Sequence, residues 1–101
     1  MSLNYSQNVE FLGKPQTARQ LAAGAHSANT ALSTGIYRIS MRAVGADIRF
    51  ELGMGAQTAN ATTSNFIADG ERLDFACASG SQIAVIRDAA DDGVLELTEL
   101  G

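Results

Sequence analysis

The feature that most restricts this chain is a two-residue alternation over residues 36–44 and again over residues 45–53. In "IYRISMRAV", Tyr37, Ile39, Met41 and Ala43 fall on one side and Arg38, Ser40 and Arg42 on the other. In "GADIRFELG", Ile48, Phe50 and Leu52 oppose Asp47, Arg49 and Glu51. A period of two describes a strand with one dry and one wet face. A helix would scatter these apolar residues among the arginines and carry the penalty of β-branching. Gly45 and Ala46 leave room for a tight connection, so the two strands are expected to form an antiparallel hairpin, with Arg38 and Arg42 across from Glu51 and Asp47.

The same rhythm continues in "SNFIA", "ERLDFACA", "SQIAVIR" and "GVLELTEL". Leu73, Phe75 and Cys77 share a side, as do Leu95 and Leu97. Ile83 and Val85 oppose Ala84 and Ile86, so both faces of that strand are partly apolar and it is expected to be central. Asp69-Gly70 and Ser79-Gly80 read as turns, Asp-Gly in particular as a hairpin signal. The expected core is Tyr37, Ile39, Met41, Ile48, Phe50, Leu52, Phe66, Leu73, Phe75, Cys77, Ile83, Val85, Leu95 and Leu97.

Before residue 35 the pattern thins. "NVEFLG" suits a short strand ending at Gly13 and Pro15; "TARQLAA" has helical propensity but reads better as a strand or extended arm, with Ala18, Gln20 and Ala22 opposite Thr17, Arg19, Leu21 and Ala23. Residues 1–34 are therefore expected to be an extended segment or edge strands, and residues 35–101 the sandwich core of one domain. Val9, Phe11, Leu12 and Leu21 are sparse anchors with which the segment could lie across a second copy or pair within its own sheet. The expected fold is all-β: a small antiparallel β-sandwich of seven to eight short strands, jelly-roll-like or immunoglobulin-like.

Composition narrows the function. Six Arg and one Lys against eleven Asp and Glu, net −4, argue against a task built on phosphate-backbone binding. No apolar run reaches membrane-spanning length, so no membrane partner is expected. Cys77 is the only cysteine and reads as a small core hydrophobe. With no Trp, four Phe and much of its apolar content in Ala, the core is thin, and a homo-oligomer is expected to complete it.

No constellation for catalysis emerges. His26, the only histidine, sits in "AGAHSAN" without an accompanying signature and reads as a surface or interface residue. Residues 88–99, "DAADDGVLELTE", match an EF-hand loop at Asp88, Asp92, Gly93, Leu95 and Glu99, but the third position is Ala90 and the flanks read as strands. They are read as a solvated acidic hairpin turn, with no metal. The Gly-x-Gly of residues 53–55 lacks the Lys and the βαβ setting of a phosphate cradle. The loop it opens, residues 53–65, offers Gln57, Asn60, Thr62, Thr63 and Asn65, which can bind a sugar or peptide, touch another subunit, or close Asx and Ser/Thr turns on their own backbone. These five, with Phe11 and Leu12, are the expected partner contacts. No cofactor is expected.

Taken as a whole, "YRISMRAVGADIRFELGMGAQTANATTSNFIADGERLDFACASGSQIAVI" followed by "GVLELTEL" resembles small structural proteins of tailed bacteriophages, over residues 35–100. The likeness lies in strand-and-turn rhythm, with "F.ADGE...F", "G..IAVI" and "L.LTEL" as its markers. It implies a β-sandwich virion component, in the capsid or the tail assembly, that docks to other virion proteins, has no active site, and is soluble in the host cytoplasm before assembly. A carbohydrate- or peptide-binding module of a phage tail is the alternative.

Overall fold

A computed structural model describes residues 14–101; the expectations placed on Val9, Phe11 and Leu12 lie outside the described residues. The described residues form eight strands: β1 (Pro15–Ala23), β2 (Ala28–Ala31), β3 (Arg38–Val44), β4 (Ile48–Met54), β5 (Asn65–Ile67), β6 (Arg72–Ala76), β7 (Ser81–Arg87) and β8 (Gly93–Leu100). They build two four-stranded antiparallel sheets, β1-β8-β3-β6 and β2-β7-β4-β5. Every connection except β4–β5 passes from one sheet to the other. That winding is the eight-stranded jelly roll, and it excludes the immunoglobulin-like alternative. β1 and β2 take edge positions, and β7 is central as its two apolar faces predict.

Alternation is cleanest on β8 and β3. On β8, Gly93, Leu95, Leu97 and Glu99 are buried between exposed or half-buried neighbours; on β3, Ile39, Met41 and Ala43 are fully buried. Ile48, Phe50, Ile67, Ile83 and Val85 meet them from the other sheet. Leu21, Ala23 and Leu32 belong to the same core, so the stretch from β1 to residue 32 is packed into the sandwich.

Three expected hairpins are corrected. β3 pairs with β6 and β8, and β4 with β5 and β7, so residues 45–47 turn a corner between sheets. Gly45 makes that corner at φ 92°, a value most residues adopt only under strain. Arg42 consequently lies opposite Arg72 and Glu96, and the expected pairs with Asp47 and Glu51 do not form. Asp69-Gly70 also crosses between sheets: Gly70, at φ 83°, donates its N–H to the Ala43 carbonyl of the sheet being entered. The acidic segment after β7 is a third such corner, since β7 and β8 lie in different sheets.

Six expected core residues are not fully buried. Tyr37 keeps the parity of Ile39 but stands at the rim just before β3, 61% exposed. Phe66 points outward because Ile67 takes the inward place opposite Ile48; the Arg49 guanidinium lies over the Phe66 ring at 4.9 Å from its centre. Phe75 faces inward and meets Phe50 at 5.6 Å between ring centres, but β6 is an edge strand and leaves it 38% exposed. Leu52, Leu73 and Cys77 are half-buried against the core.

Candidate functional site

The interval between β4 and β5 folds back onto the outer face of its own sheet. Asn29, whose partner across β2 and β7 is Ala84, accepts the Gln57 backbone N–H at 2.9 Å through Oδ1 and donates through Nδ2 to the Gln82 side chain at 2.6 Å. The Ser27 hydroxyl accepts the Ala59 N–H at 2.8 Å, and Arg49 donates to the Ser64 carbonyl at 3.0 Å. These anchors span the sheet from β2 to β4. They explain why Ala84, which points outward between inward-facing Ile83 and Val85, is fully buried, and why Ala59 and Ser64 are buried too.

Within the strap, the polar groups serve its own backbone. Asn60 Oδ1 accepts from the Thr62 N–H at 2.8 Å, the Thr62 hydroxyl at 2.7 Å and the Thr63 N–H at 3.2 Å, an Asx turn. Ser64 Oγ accepts the Asn60 N–H, and Gln57 Nε2 donates to the Met54 and Gly55 carbonyls. Of the five polar residues expected to meet a partner, Gln57 is half-buried, whereas Asn60, Thr62, Thr63 and Asn65 are exposed. Replacing Asn60 by Ala should cost about 1 kcal/mol, the usual net worth of such bonds. Amide exchange at Thr62 and Thr63 should accelerate while the β3 and β8 amides stay protected; equal acceleration in both would show the strap to be part of the cooperative core.

The sheet-to-sheet winding collects four corners at one end: residues 24–27, 45–47, 68–71 and 88–92. This end carries Asp47, Asp69, Glu71, Asp88, Asp91 and Asp92 together with the exposed His26. Its carboxylates work as turn caps and ion-pair partners. Asp47 accepts the Asp69 N–H at 2.8 Å, Asp69 accepts the Gly45 N–H at 2.9 Å, Asp88 pairs with Arg49 at 2.8 Å and Asp92 with Arg87 at 2.7 Å. Glu99, the twelfth position of the EF-hand-like match, sits at the far end of β8, separated from Asp88 by the strand's length. Among the described residues, no group of three or more His, Cys, Asp or Glu side chains is arranged to hold a metal ion.

The inner face of β8 ends in a buried ion pair that strand alternation alone does not specify. Glu99 continues the inward parity of Leu95 and Leu97 and is fully buried. Its Oε2 accepts from Arg19 Nε of β1 at 3.0 Å and from the Ser33 N–H at 2.9 Å, while Oε1 has no partner among the described residues. Burial pushes the carboxyl up, but the Ser33 amide and hydroxyl and the Arg19 guanidinium outweigh it and hold Glu99 below the usual carboxylate range. Arg19 Nη2 also reaches Ser33 Oγ at 3.3 Å, so one carboxylate fastens β8 to β1 and to the segment after β2. The signal was present in sequence: Glu99 shares parity with Leu97, and Arg19 with Leu21.

Cys77 lies close enough for Glu99 to act on it. Burial first, and the Glu99 charge second, push its thiol above its ordinary value of 9.0. The group is thus a poor nucleophile at neutral pH. Folded protein should react with iodoacetamide at pH 8 much more slowly than the same chain in urea; equal rates would contradict this placement.

No family model matches the chain, and no curated protein matches it. Solved structures do. It is similar to a de novo designed double-stranded β-helix at a TM-score of 0.55 and 15% identity, covering 83% of this chain and 99% of the design. It is also similar to a protein from Neisseria meningitidis at a TM-score of 0.51 and 12% identity, covering 100% of this chain and 97% of that one. At such identities the likeness concerns architecture alone, and it agrees with the strand order: the chain is an all-β domain of the jelly-roll, or double-stranded β-helix, class.

Proposed function

We propose that this protein is a structural component of a phage virion, working by self-association and by docking to other virion proteins, with no substrate turned over. The observation that carries the reading is a division of labour on the surface. The polar strap is occupied with its own sheet, while Tyr37, Val44, Met54, Phe66 and Phe75 stand exposed, Met54 by 62%. Large apolar side chains left open on a small, thin-cored domain gain by burial against another protein. The resemblance over residues 35–100 supplies the setting, a virion assembled from soluble subunits in the host cytoplasm.

Solution mass across a dilution series tests this. A mass above that of the monomer at accessible concentrations is expected. A strict monomer throughout overturns the assembly reading, and binding of that monomer to a glycan or peptide array would favour the tail-borne binding module, for which the exposed Thr62, Thr63 and Asn65 are the available groups.

A further inference from the structure

The four sheet edges differ in how they discourage pairing with another chain. Natural edges are protected by shortness, by charge, by proline or by bulges. β2 has four residues and β5 three. β6 presents Arg72 and Asp74. β1 has nine residues, its only proline is the first, and its register irregularity is confined to residues 15–18. Its single charged residue, Arg19, turns inward and is neutralised by Glu99.

The hydrogen-bond ladder shows which backbone groups β1 leaves over. Cys77 donates to the Tyr37 carbonyl, and Ala43 exchanges bonds with Gly70 and Glu71, so the odd residues of β3 turn their backbone groups toward β6 and the even ones toward β8. On β8 the odd residues then face β1, in keeping with the paired bonds between Lys14 and Gly101. Arg19, Leu21 and Ala23, opposite Leu97, Leu95 and Gly93, commit their N–H and C=O groups to β8. Ala18, Gln20 and Ala22 turn theirs to the outside, and among the described residues no strand pairs with that side.

We propose that this edge is where two copies of the chain associate, β1 against β1 in antiparallel register about a two-fold axis at Gln20, joining two four-stranded sheets into one of eight. An isologous contact requires a strand that complements itself. Ala18 then faces the partner's Ala22, and Gln20 faces the partner's Gln20, whose amides can hydrogen-bond to each other. About six backbone hydrogen bonds form across the axis. No like charges meet on the outer face, because the cation of β1 is held inside by Glu99. This gives the self-association proposed above a surface separate from the exposed apolar side chains, which are left for other partners, and rests on that reading only for its choice of a second copy as the partner.

Sedimentation equilibrium on the intact chain, from micromolar to millimolar, provides the first arm, with wild type expected to approach twice the monomer mass. Gln20→Pro removes an outward N–H while leaving every β1–β8 bond in place, and should weaken dimerisation roughly tenfold or more through two lost hydrogen bonds. Gln20→Cys in a Cys77→Ser background should cross-link under mild oxidation, since directly opposed hydrogen-bonded residues lie about 5.5 Å apart at Cα, within disulfide range. Ala22→Cys in the same background should not, as four residues of offset separate the two copies by about 14 Å. A wild-type chain that stays monomeric overturns self-association itself. A wild-type oligomer that persists in folded Gln20→Pro, or that cross-links equally at both positions, overturns only the assignment to β1.

Discussion

Phe50→Ala is expected to lower stability by about 3 to 5 kcal/mol, the usual cost of truncating a buried aromatic, and to depress Tm by well over ten degrees. Phe50 is 2% exposed and lies centrally on β4, between the Asn65 and Val85 pairings, with Phe75 as its aromatic neighbour from the other sheet. Little can collapse into the space it leaves, because Ile39, Met41 and Ile48 around the same core are already fully buried. Phe75→Ala should cost markedly less, since Phe75 is already 38% exposed at an edge. Urea titrations of the two variants compare them directly. Equal losses would mean that the β5–β6 side of the sandwich is closed, contrary to the fold described.

Breaking the Arg19–Glu99 pair is expected to have the second large effect. Arg19→Ala leaves a fully buried carboxylate with only Ser33 to answer it, and removal of one partner from a buried pair costs about 3 to 5 kcal/mol. Arg19 itself is partly exposed, which places the expectation toward the lower end of that range. Glu99→Gln should cost less, because Arg19 can turn toward solvent. The pH dependence has a definite sign. Glu99 titrates lower in the folded chain than its ordinary value of 4.5, so its contribution is complete above that pH and is lost as the pH falls through the folded value. Wild-type stability should therefore decline on acidification below about 4.5, and the gap between wild type and Arg19→Ala should narrow there. In Glu99→Gln this part of the decline disappears. Cys77 should alkylate faster in that variant, because one cause of its raised pKa has been removed. A pH profile identical in wild type and Glu99→Gln would contradict the geometry of the pair.

Much of the strand content was legible because alternation is a local property: Ile39, Met41, Leu95 and Leu97 declare their side of a strand without reference to anything distant. The sheet to which a strand belongs is not local. Positive φ at Gly45 or Gly70 suits a hairpin and a corner between sheets equally, and only the burial of both apolar faces across the sandwich decides between them. Phe66 shows how narrow the margin is, since inward and outward differ by one residue and Ile67 takes the inward place. In the strap, the Asx chemistry of Asn60 was readable from its residue type. That the strap covers Ala84 was not, because it depends on Ser27 and Asn29 some thirty residues earlier. Glu99 is readable by parity, yet the acidic run of residues 88–99 reads as a solvated turn, and its last carboxylate is instead fully buried. The structure makes it the inner fastening of β1.

The claim on which all of these placements depend is that β3 lies between β8 and β6 rather than beside β4. Close Hα–Hα contacts measured by NMR test it most directly, because they occur only between non-hydrogen-bonded antiparallel pairs about 4.5 Å apart at Cα. Contacts are expected between Met41 and Leu97 and between Ala43 and Leu95 on one side, and between Ser40 and Asp74 on the other. Contacts instead linking residues 38–44 to residues 48–54 across Gly45 would make that connection a hairpin and contradict the jelly roll.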